Sequence, residues 1–245
     1  MRIVQDVEKH GSSVKGLERG LDVLDYLFTV PEAPLHAIAE KTGIPPSTVH
    51  RLLSSLEFKG YVVARQGVYQ LGIKGLWFTL AREPIRKILE EVSDRVGETA
   101  NFAILVQREM EFIERSVSDH PLAFVVSVGS RVPLYCSALG KAVLANRSDL
   151  LEGLTLTSHR GSGAIDPIEF HAELEVAHQR GFAFDNQEFV EGVFCIAVPV
   201  FGRMGMAVGA VSVSGPVVRF SRDKAIQIAP YLKTVGEQVT QLLQN

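Results

Sequence analysis

A short polar and cationic segment follows two consecutive prolines early in the chain. Its side chains are those of Ser47, Thr48, His50 and Arg51. Prolines can begin a helix but cannot continue one, so Pro45 and Pro46 predict a helix whose first turn carries these side chains. Hydroxyl, imidazole and guanidinium groups there can contact base edges and phosphates in a DNA major groove. The segment therefore predicts a helix that reads DNA, with capping and packing as the alternative roles of Thr48 and His50.

The distribution of charge favours the same interpretation. The chain has 245 residues and a formal net charge of −3, which alone argues against binding to nucleic acid. From Lys41 to Lys74, however, the charged residues are five lysines and arginines and one acid, Glu57. A locally basic surface can bind a phosphate backbone within an acidic protein. Arg65 belongs to this basic stretch and is a further candidate for a contact with the minor groove or the DNA backbone.

The sequence around these residues predicts the scaffold that positions them. Hydrophobic spacing predicts helices over 17–28, 34–39 and 47–58. Gly43 is suited to end the second helix. Valine and tyrosine in 61–71, interrupted by Gln66 and Gly67, predict two short strands joined by a turn. Helices and a hairpin in this order are typical of a winged helix-turn-helix, an all-α domain with a small β wing, and they place Arg65 at the wing tip.

The rest of the chain predicts an α+β domain. Strand patterns occur at 102–106, 112–117, 124–128, 193–201 and 207–214, and helical patterns at 138–146, 168–179 and 223–243. Strands mixed with flanking helices and short turns indicate this class of fold. The predicted organisation is an N-terminal arm at 1–15, a winged helix-turn-helix at 16–74, a linker helix at 75–92 and a second domain at 93–245.

Two cysteines, Cys136 and Cys195, are the only thiols in the chain. They are too few for a disulfide framework or a cysteine-rich metal site, and neither lies in a nucleophile motif. The sequence therefore predicts no enzyme activity, no metal and no cofactor. A redox- or metal-responsive regulator that uses both thiols stays open as an alternative, as does a thiol-dependent enzyme.

The apolar stretches of the chain are too short to span a membrane. The runs at 192–200 and 207–213 have about half of the roughly 20 residues that a bilayer requires. The N-terminal residues include Asp6 and Glu8 and lack the apolar core of a signal peptide. These features predict a protein of the cytoplasm without a membrane partner.

Segments distributed over nearly the whole chain resemble the IclR family of bacterial transcriptional regulators. In the N-terminal part they are 17–21, 38–44, 47–53, 60–62 and 69–72. In the C-terminal part they are 97–103, 137–142, 180–183, 192–197 and 212–216, followed by Arg219. The resemblance implies a winged helix-turn-helix, a linker helix and a C-terminal α+β, GAF-like effector-binding domain. It also implies assembly into dimers and tetramers.

The resemblance further implies which residues bind the effector and DNA. The effector-binding positions are Ala138, Leu139, Gly140, Asp185, Val193, Cys195, Ser212 and Ser214. Arg19 matches an arginine near the start of the first helix, where a phosphate contact is expected. Val132 is a candidate for the apolar wall of the pocket. Alternative roles are backbone hydrogen bonding for the two serines and turn capping for Asp185.

The chemistry of the expected effector depends on the segment around Gly140. Gly140 and Lys141 are expected to open a helix, whose free amides favour an anionic ligand. Small organic acids are therefore the leading class of effector, and aromatic compounds are a second class. The 155–167 loop departs from the family pattern. Its His159 and Arg160 could contact an acidic ligand or belong to an exposed loop without a ligand role.

Together these features predict a DNA-binding transcriptional regulator whose operator binding is controlled by a small metabolite. A dimer would place two recognition helices in successive major grooves about 34 Å apart, so the double-stranded operator is expected to be near-palindromic. Between repression and activation, repression is preferred. A purely architectural DNA-binding protein without a ligand conflicts with the size of the second domain.

Overall fold

The computed structural model describes residues 14–76, 82–157 and 165–244. The chain divides into two compact units, with the division between Gly75 and Leu76. Most of the predicted N-terminal arm lies outside the described residues, as do His159 and Arg160. Within the three described ranges, every helix is too short or too polar to cross a membrane.

Within residues 14–76, three helices and a small antiparallel sheet form the N-terminal unit. They are α1 (Lys15–Thr29), β1 (Ala33–Pro34), α2 (Leu35–Thr42), α3 (Pro46–Phe58), β2 (Val62–Arg65) and β3 (Val68–Leu71), with the strand order β1-β3-β2, followed by the short α4 (Ile73–Leu76). The core between the helices contains Val23, Leu27, Ile38, Val49 and Leu53. Because these residues recur at helical spacing, each helix buries one face and leaves the other to solvent.

Left-handed backbone conformations form two turns of this unit. Gly43 has a φ of 67° and ends α2, since glycine adopts this conformation without a Cβ penalty. Between β2 and β3, Gln66 and Gly67 have φ of 51° and 81°. Positive φ at both central residues is the mark of a two-residue type I′ turn, whose twist matches that of the paired strands. The helix-turn-helix and the wing are therefore both confirmed.

Helix α1 buries only part of its apolar surface. Val23 and Leu27 are buried in the core, whereas Leu17, Leu21 and Phe28 are 64%, 51% and 41% exposed. The exposed side chains are spaced so that they lie along one side of the helix. These three residues, the α1 stripe, therefore form an apolar surface that the core of their own unit does not cover.

The described residues of the C-terminal unit form a six-stranded antiparallel sheet with helices on both faces. The strands are β4 (Thr99–Val106), β5 (Glu109–Ser116), β6 (Arg131–Pro133), β7 (Ala183–Asn186), β8 (Val193–Phe201) and β9 (Ala207–Pro216), in the order β6-β5-β4-β9-β8-β7. The helices are α5 (Arg82–Val96), α6 (Ala138–Leu144), α7 (Pro167–Arg180) and α8 (Arg222–Gln244). Helices α5 and α8 pack against the sheet and each other, while α6 packs on β8 and β9 and against α7.

The segment 124–128, predicted as a strand, is not one. Its side chains alternate as a half-buried strand would: Phe124 and Val126 pack on the core, whereas Val125 and Val128 are exposed. Its backbone, however, joins no ladder: β6 pairs with the first three residues of β5, and the ladder does not continue into 124–128. The prediction of a strand at 124–128, made from its apolar sequence, was therefore wrong.

Two further elements differ from their predicted extent. Strand β7 was not predicted, because half of its four residues, Asp185 and Asn186, are polar. Helix α5 begins at Arg82, two residues before Pro84, which the first turn of a helix accommodates. The predicted linker helix at 75–92 overlaps α4 and α5, and α5 packs against the sheet of the C-terminal unit.

Candidate DNA-binding and effector-binding sites

Helix α3 presents polar and cationic side chains to solvent while Val49 and Leu53 hold it in the core. Ser47, His50 and Arg51 are exposed, and Thr48 is half-buried. The N-cap position is occupied by Pro45, and no described side chain caps the helix. Capping, one of the alternative roles predicted for Thr48 and His50, is therefore not what these side chains do.

A shallow depression runs along the exposed side of α3 towards the start of α1. Its volume is about 550 Å³, and it is lined by Gly16, Thr48, His50, Arg51, Leu52, Ser54 and Ser55. The hydroxyls of Ser54 and Ser55 donate to backbone carbonyls one turn earlier, at 2.9 and 3.0 Å. Their hydroxyl protons are therefore used within α3, while their oxygens can still accept hydrogen bonds. Arg19 is exposed on α1, one turn beyond Gly16.

The wing is connected to the end of α3 by a hydrogen bond. The backbone N–H of Ala64 donates to Glu57 Oε1 at 3.2 Å. Arg65, the last residue of β2, is exposed beside the turn. The predicted DNA-contacting residues thus lie on the surface of one unit, supplied by α1, α3 and the wing.

In the C-terminal unit, the register of the sheet brings the predicted polar effector residues together. One row across four strands consists of Asp185, Cys195, Ser214 and Thr99. The next row includes Ala197, Ser212 and Asn101. Cross-strand partners point to the same face of a sheet, as do residues two apart on one strand. Since Cys195 and Ala197 pack in one cluster with α6, both rows face that helix.

Apolar residues from other elements complete the same cluster. They are Val132 of β6, Ala138 and Leu139 of α6 and Val193 of β8. Gly140 and the polar residues of the two rows are also buried. The structure therefore gathers the predicted effector residues at one face of the sheet, where an apolar wall surrounds a few hydrogen-bonding groups. Such a composition is typical of small-molecule sites.

Asp185 combines a buried carboxyl with a structural role. Its Oδ1 accepts the N–H of Glu188 at 2.7 Å and of Phe189 at 3.4 Å, so the turn capping predicted as an alternative is present. Burial raises the pKa of Asp185 to about 6, and the nearby Glu188 carboxylate acts in the same direction. The carboxyl can therefore take up a proton in mildly acidic solution and then donate a hydrogen bond.

Both thiols are buried in surroundings that keep them protonated. Burial raises the pKa of Cys136 to about 12, and the charges of Asp185 and Glu188 act in the same direction. Burial likewise raises the pKa of Cys195, which lies beside Ser214 and Asp185. Reactive and metal-binding cysteines act as thiolates, so these surroundings disfavour the redox and metal alternatives. No group of potential ligands in the described parts of the chain could hold a metal ion.

Helix α6 begins at Ala138, as the helical pattern at 138–146 predicted. Ser137 is its N-cap, and Ser137 Oγ accepts the N–H of Gly140 at 3.1 Å. Gly140 is therefore the third residue of the helix, and the prediction that Gly140 and Lys141 open it was wrong. Gly140 instead permits close packing, because a Cβ at this position would lie 2.3 Å from the backbone Cα and O of Leu134.

Lys141 is a buried cation whose role the sequence did not reveal. Its side chain is 0% exposed, and Nζ lies 2.7 Å from Glu173 Oε1 and 2.6 Å from Glu188 Oε1. Burial opposes its charge, but the carboxylates of Glu188 and Glu173 raise the pKa of Lys141. The cation links α6 to α7 and to the turn after β7, so its charge is paired within the protein. A lysine inside the apolar helix ALGKAVL is the signal that could have indicated its burial.

Asn101 is a second buried polar residue that the predicted site did not include. Its Nδ2 lies 3.5 Å from Ser212 Oγ, and its Oδ1 is the buried side-chain atom without a hydrogen-bond partner among the described residues. Burying a polar atom without a hydrogen-bond partner costs free energy. The Oδ1 of Asn101 is therefore an acceptor in this row that a ligand could use. In the sequence, the feature that could have indicated this buried residue is the presence of a polar asparagine inside the apolar strand β4.

Comparison with known proteins matches a family model to each of the two units. The family model "IclR helix-turn-helix domain" matches residues 16–66, and "Bacterial transcriptional regulator IclR C-terminal" matches 80–241. The chain is 30% identical to the probable transcriptional regulator SauR of Cupriavidus necator over 237 residues, 90% of this chain and 94% of that protein. It is 28% identical to the transcriptional repressor IclR of Escherichia coli over 244 residues, 93% and 89% of the two chains.

The solved structure of IclR from Thermotoga maritima has a similar fold. The TM-score is 0.61 at 28% identity, and the match covers 95% of this chain and 100% of that one. The predicted fold, a winged helix-turn-helix followed by an α+β, GAF-like effector domain, is therefore confirmed. The similar proteins are transcriptional regulators and not enzymes. The chain belongs to the IclR family of bacterial transcriptional regulators.

Proposed function

We propose that this regulator is a repressor that binds operator DNA through α3 and is controlled by a small organic acid or aromatic compound at the α6 face of the sheet. The observation that carries the proposal is the solvent-exposed, uncapped start of α3, with Ser47, His50 and Arg51 outward. Relatives named "Transcriptional repressor IclR" and "Acetate operon repressor" support repression. The effector can change operator affinity only if it binds the DNA-binding state and the released state of the protein with different affinities. The size of that difference limits the size of the change.

We assign a separate function to each predicted part of the chain. Residues 16–74 bind DNA, 75–92 link the domains and 93–245 bind the effector. Exposure of the α1 stripe supports self-association, because a second copy would remove its apolar surface from water. A two-fold dimer places two copies of α3 in successive major grooves about 34 Å apart, so the operator is near-palindromic. The protein would act in the cytoplasm, where the bacterial chromosome lies.

Arg51→Ala tests whether α3 reads the operator. We expect operator affinity to fall by about 10- to 100-fold, because a bidentate contact between arginine and guanine contributes roughly 1–3 kcal/mol. The measurement is fluorescence anisotropy with labelled DNA from upstream of the gene, at two salt concentrations. Substituting the base pairs of one half-site should change the affinity of the wild-type protein more than that of the variant.

Arg19→Ala is the matched control for Arg51→Ala. Both residues are exposed arginines of the same unit. Loss of a phosphate contact from Arg19 should weaken binding to all sequences alike and lower the salt slope by about one. An Arg51→Ala variant that keeps both the affinity and the base preference of the wild type would contradict the proposed role of α3.

The proposed acid effector must share a buried site with Asp185. Two ionised carboxylates repel each other where water is excluded, whereas a protonated Asp185 can donate a hydrogen bond to the ligand. With a pKa of about 6, Asp185 reaches the protonated form at modest cost. Ser212 and Ser214 supply hydroxyls on the same face, and Asn101 Oδ1, an acceptor without a partner among the described residues, can accept a hydrogen bond from a hydroxyl or N–H group of the ligand but not from its carboxylate.

This arrangement predicts that acid binding takes up one proton. Because Asp185 is deprotonated above its pKa of about 6, affinity should fall by up to about tenfold for each pH unit above that value and change little below it. The measurement is isothermal titration of the acid that binds best among small aliphatic and aromatic carboxylic acids, from about pH 5 to 8. Asp185→Asn should remove the pH dependence and keep the low-pH affinity. A flat profile for the wild-type protein would contradict an acid effector beside Asp185.

A further inference from the structure

A second cleft lies at the β7 edge of the sheet, outside the predicted effector residues. Its volume is about 410 Å³, and it is formed by α7, β7, β8 and the start of α8. Arg180, Arg222, Phe184, Phe194 and Val176 are among its lining residues. We refer to these five residues as the arginine cleft. None of them belongs to the two polar rows that face α6.

Two arginines of the cleft lie against one aromatic ring. The guanidinium carbon of Arg180 is 4.4 Å from the centroid of Phe184 and 4.7 Å from that of Phe182, and that of Arg222 is 5.5 Å from Phe184. Nε of Arg180 also donates to the carbonyl of Phe182 at 2.6 Å. Stacking on an aromatic face leaves the edges of a guanidinium free to donate hydrogen bonds. The two cations are thus positioned by contacts that do not use their full donor capacity.

No carboxylate in the described residues pairs with either arginine. By contrast, Arg86, Arg131, Arg147 and Arg219 each form an ion pair with an acidic side chain. The acids that do line the cleft, Glu173 and Glu188, bind the buried Lys141. Burial lowers the pKa of Arg180; the charge of Glu173 opposes this change, and the positive charge of Arg222 acts in the same direction as burial. Two cations beside one ring, neither in an ion pair with a described residue, favour an anion that contacts both.

We propose that the arginine cleft binds a small organic anion. A carboxylate or phosphate group would lie between Arg180 and Arg222, where planar guanidinium groups can donate paired hydrogen bonds to its oxygens. The apolar part of the ligand would lie against Val176 and Phe194. The cleft is a second ligand site, independent of DNA binding and of the effector site.

The test compares aromatic probes that differ in charge. Isothermal titration is carried out on the full chain with phenyl phosphate, benzoate and neutral phenol. We expect Arg222→Gln to reduce binding of the anionic probes by about tenfold or more, because a hydrogen bond to a charged group is lost. Arg222 is exposed at the start of α8, so the variant should fold, and Arg180→Gln provides a second variant with the same expected loss.

Lys87→Gln and Asp185→Asn are the matched controls. Lys87 is an exposed cation of the same unit, and its replacement tests for a general effect of net charge. At neutral pH, Asp185→Asn should strengthen binding of an acid at the effector site, because it removes the carboxylate that repels the ligand, so a probe whose affinity changes only in that variant binds there and overturns the proposal. Equal affinity in the wild type and Arg222→Gln, no binding of either anion, or equally tight binding of phenol would also overturn it. The anion that responds to Arg222→Gln identifies the group that the cleft prefers.

Discussion

Lys141→Ala is expected to lower the free energy of unfolding of the C-terminal unit by about 2–5 kcal/mol, the usual cost of truncating a large, fully buried side chain to alanine. The substitution leaves Glu173 and Glu188 without their shared cation. It also leaves a cavity, because the whole lysine side chain is buried. Urea denaturation followed by circular dichroism measures the loss.

Lys141→Met separates the electrostatic contribution from the packing contribution. Methionine fills most of the volume of the lysine stem and carries no charge, and an apolar replacement of a buried charge is often tolerated. Glu173 and Glu188 are 39% and 36% exposed, so water can solvate them once the cation is absent. We therefore expect the loss for Lys141→Met to be clearly smaller than for Lys141→Ala. Equal stability of Lys141→Ala and the wild type would show that the ion pair does not hold α6 in place.

Gly140→Ala is expected to destabilise the same unit by about 2–3 kcal/mol or more, because overpacking a buried site forces the surrounding structure to move. A Cβ at Gly140 would lie 2.3 Å from Leu134 Cα and O and 2.6 Å from Leu134 C. These are backbone atoms and cannot rotate away as a flexible side chain would. The start of α6 and the segment around Leu134 would have to separate, and both contribute to the apolar cluster beside the proposed effector residues.

Gly16→Ala provides the comparison for Gly140→Ala. Both glycines lie in helices, but nothing lies within 4 Å of a Cβ at Gly16. Alanine there should be neutral or slightly stabilising, because it favours the helical conformation by about 0.5–1 kcal/mol over glycine. Calorimetry of both variants and the wild type measures the difference. Similar melting of Gly140→Ala and the wild type would mean that α6 can shift without cost.

Local chemistry made much of the fold predictable. The prolines before α3, Gly43 after α2 and the Gln66–Gly67 turn each restrict the backbone at one place, so they located the helix-turn-helix and the wing. Continuous apolar runs located β8 and β9 in the same way. Strand pairing is a long-range property, and for that reason the apolar segment 124–128 was mistaken for a strand.

The candidate effector site was less accessible to sequence reasoning. Its residues were found by resemblance to the family, since nothing local to Ser212 or Asp185 shows that they meet across a sheet. Lys141 and Asn101 were missed because their roles depend on partners far away in the chain. The prediction of free amides at Gly140 was wrong because Ser137, the N-cap of α6, accepts the Gly140 N–H through its Oγ.

The two-residue turn of the wing determines the alignment of its strands as well as their direction. Ladder pairing places Arg65 opposite Val68, directly beside the turn. Because side chains alternate between faces, inserting one residue in the turn would either form a bulge or shift one strand against the other by one position. A shift would turn the side chain of Arg65 to the opposite face of the hairpin. The two-residue length of this turn therefore determines the direction in which Arg65 points.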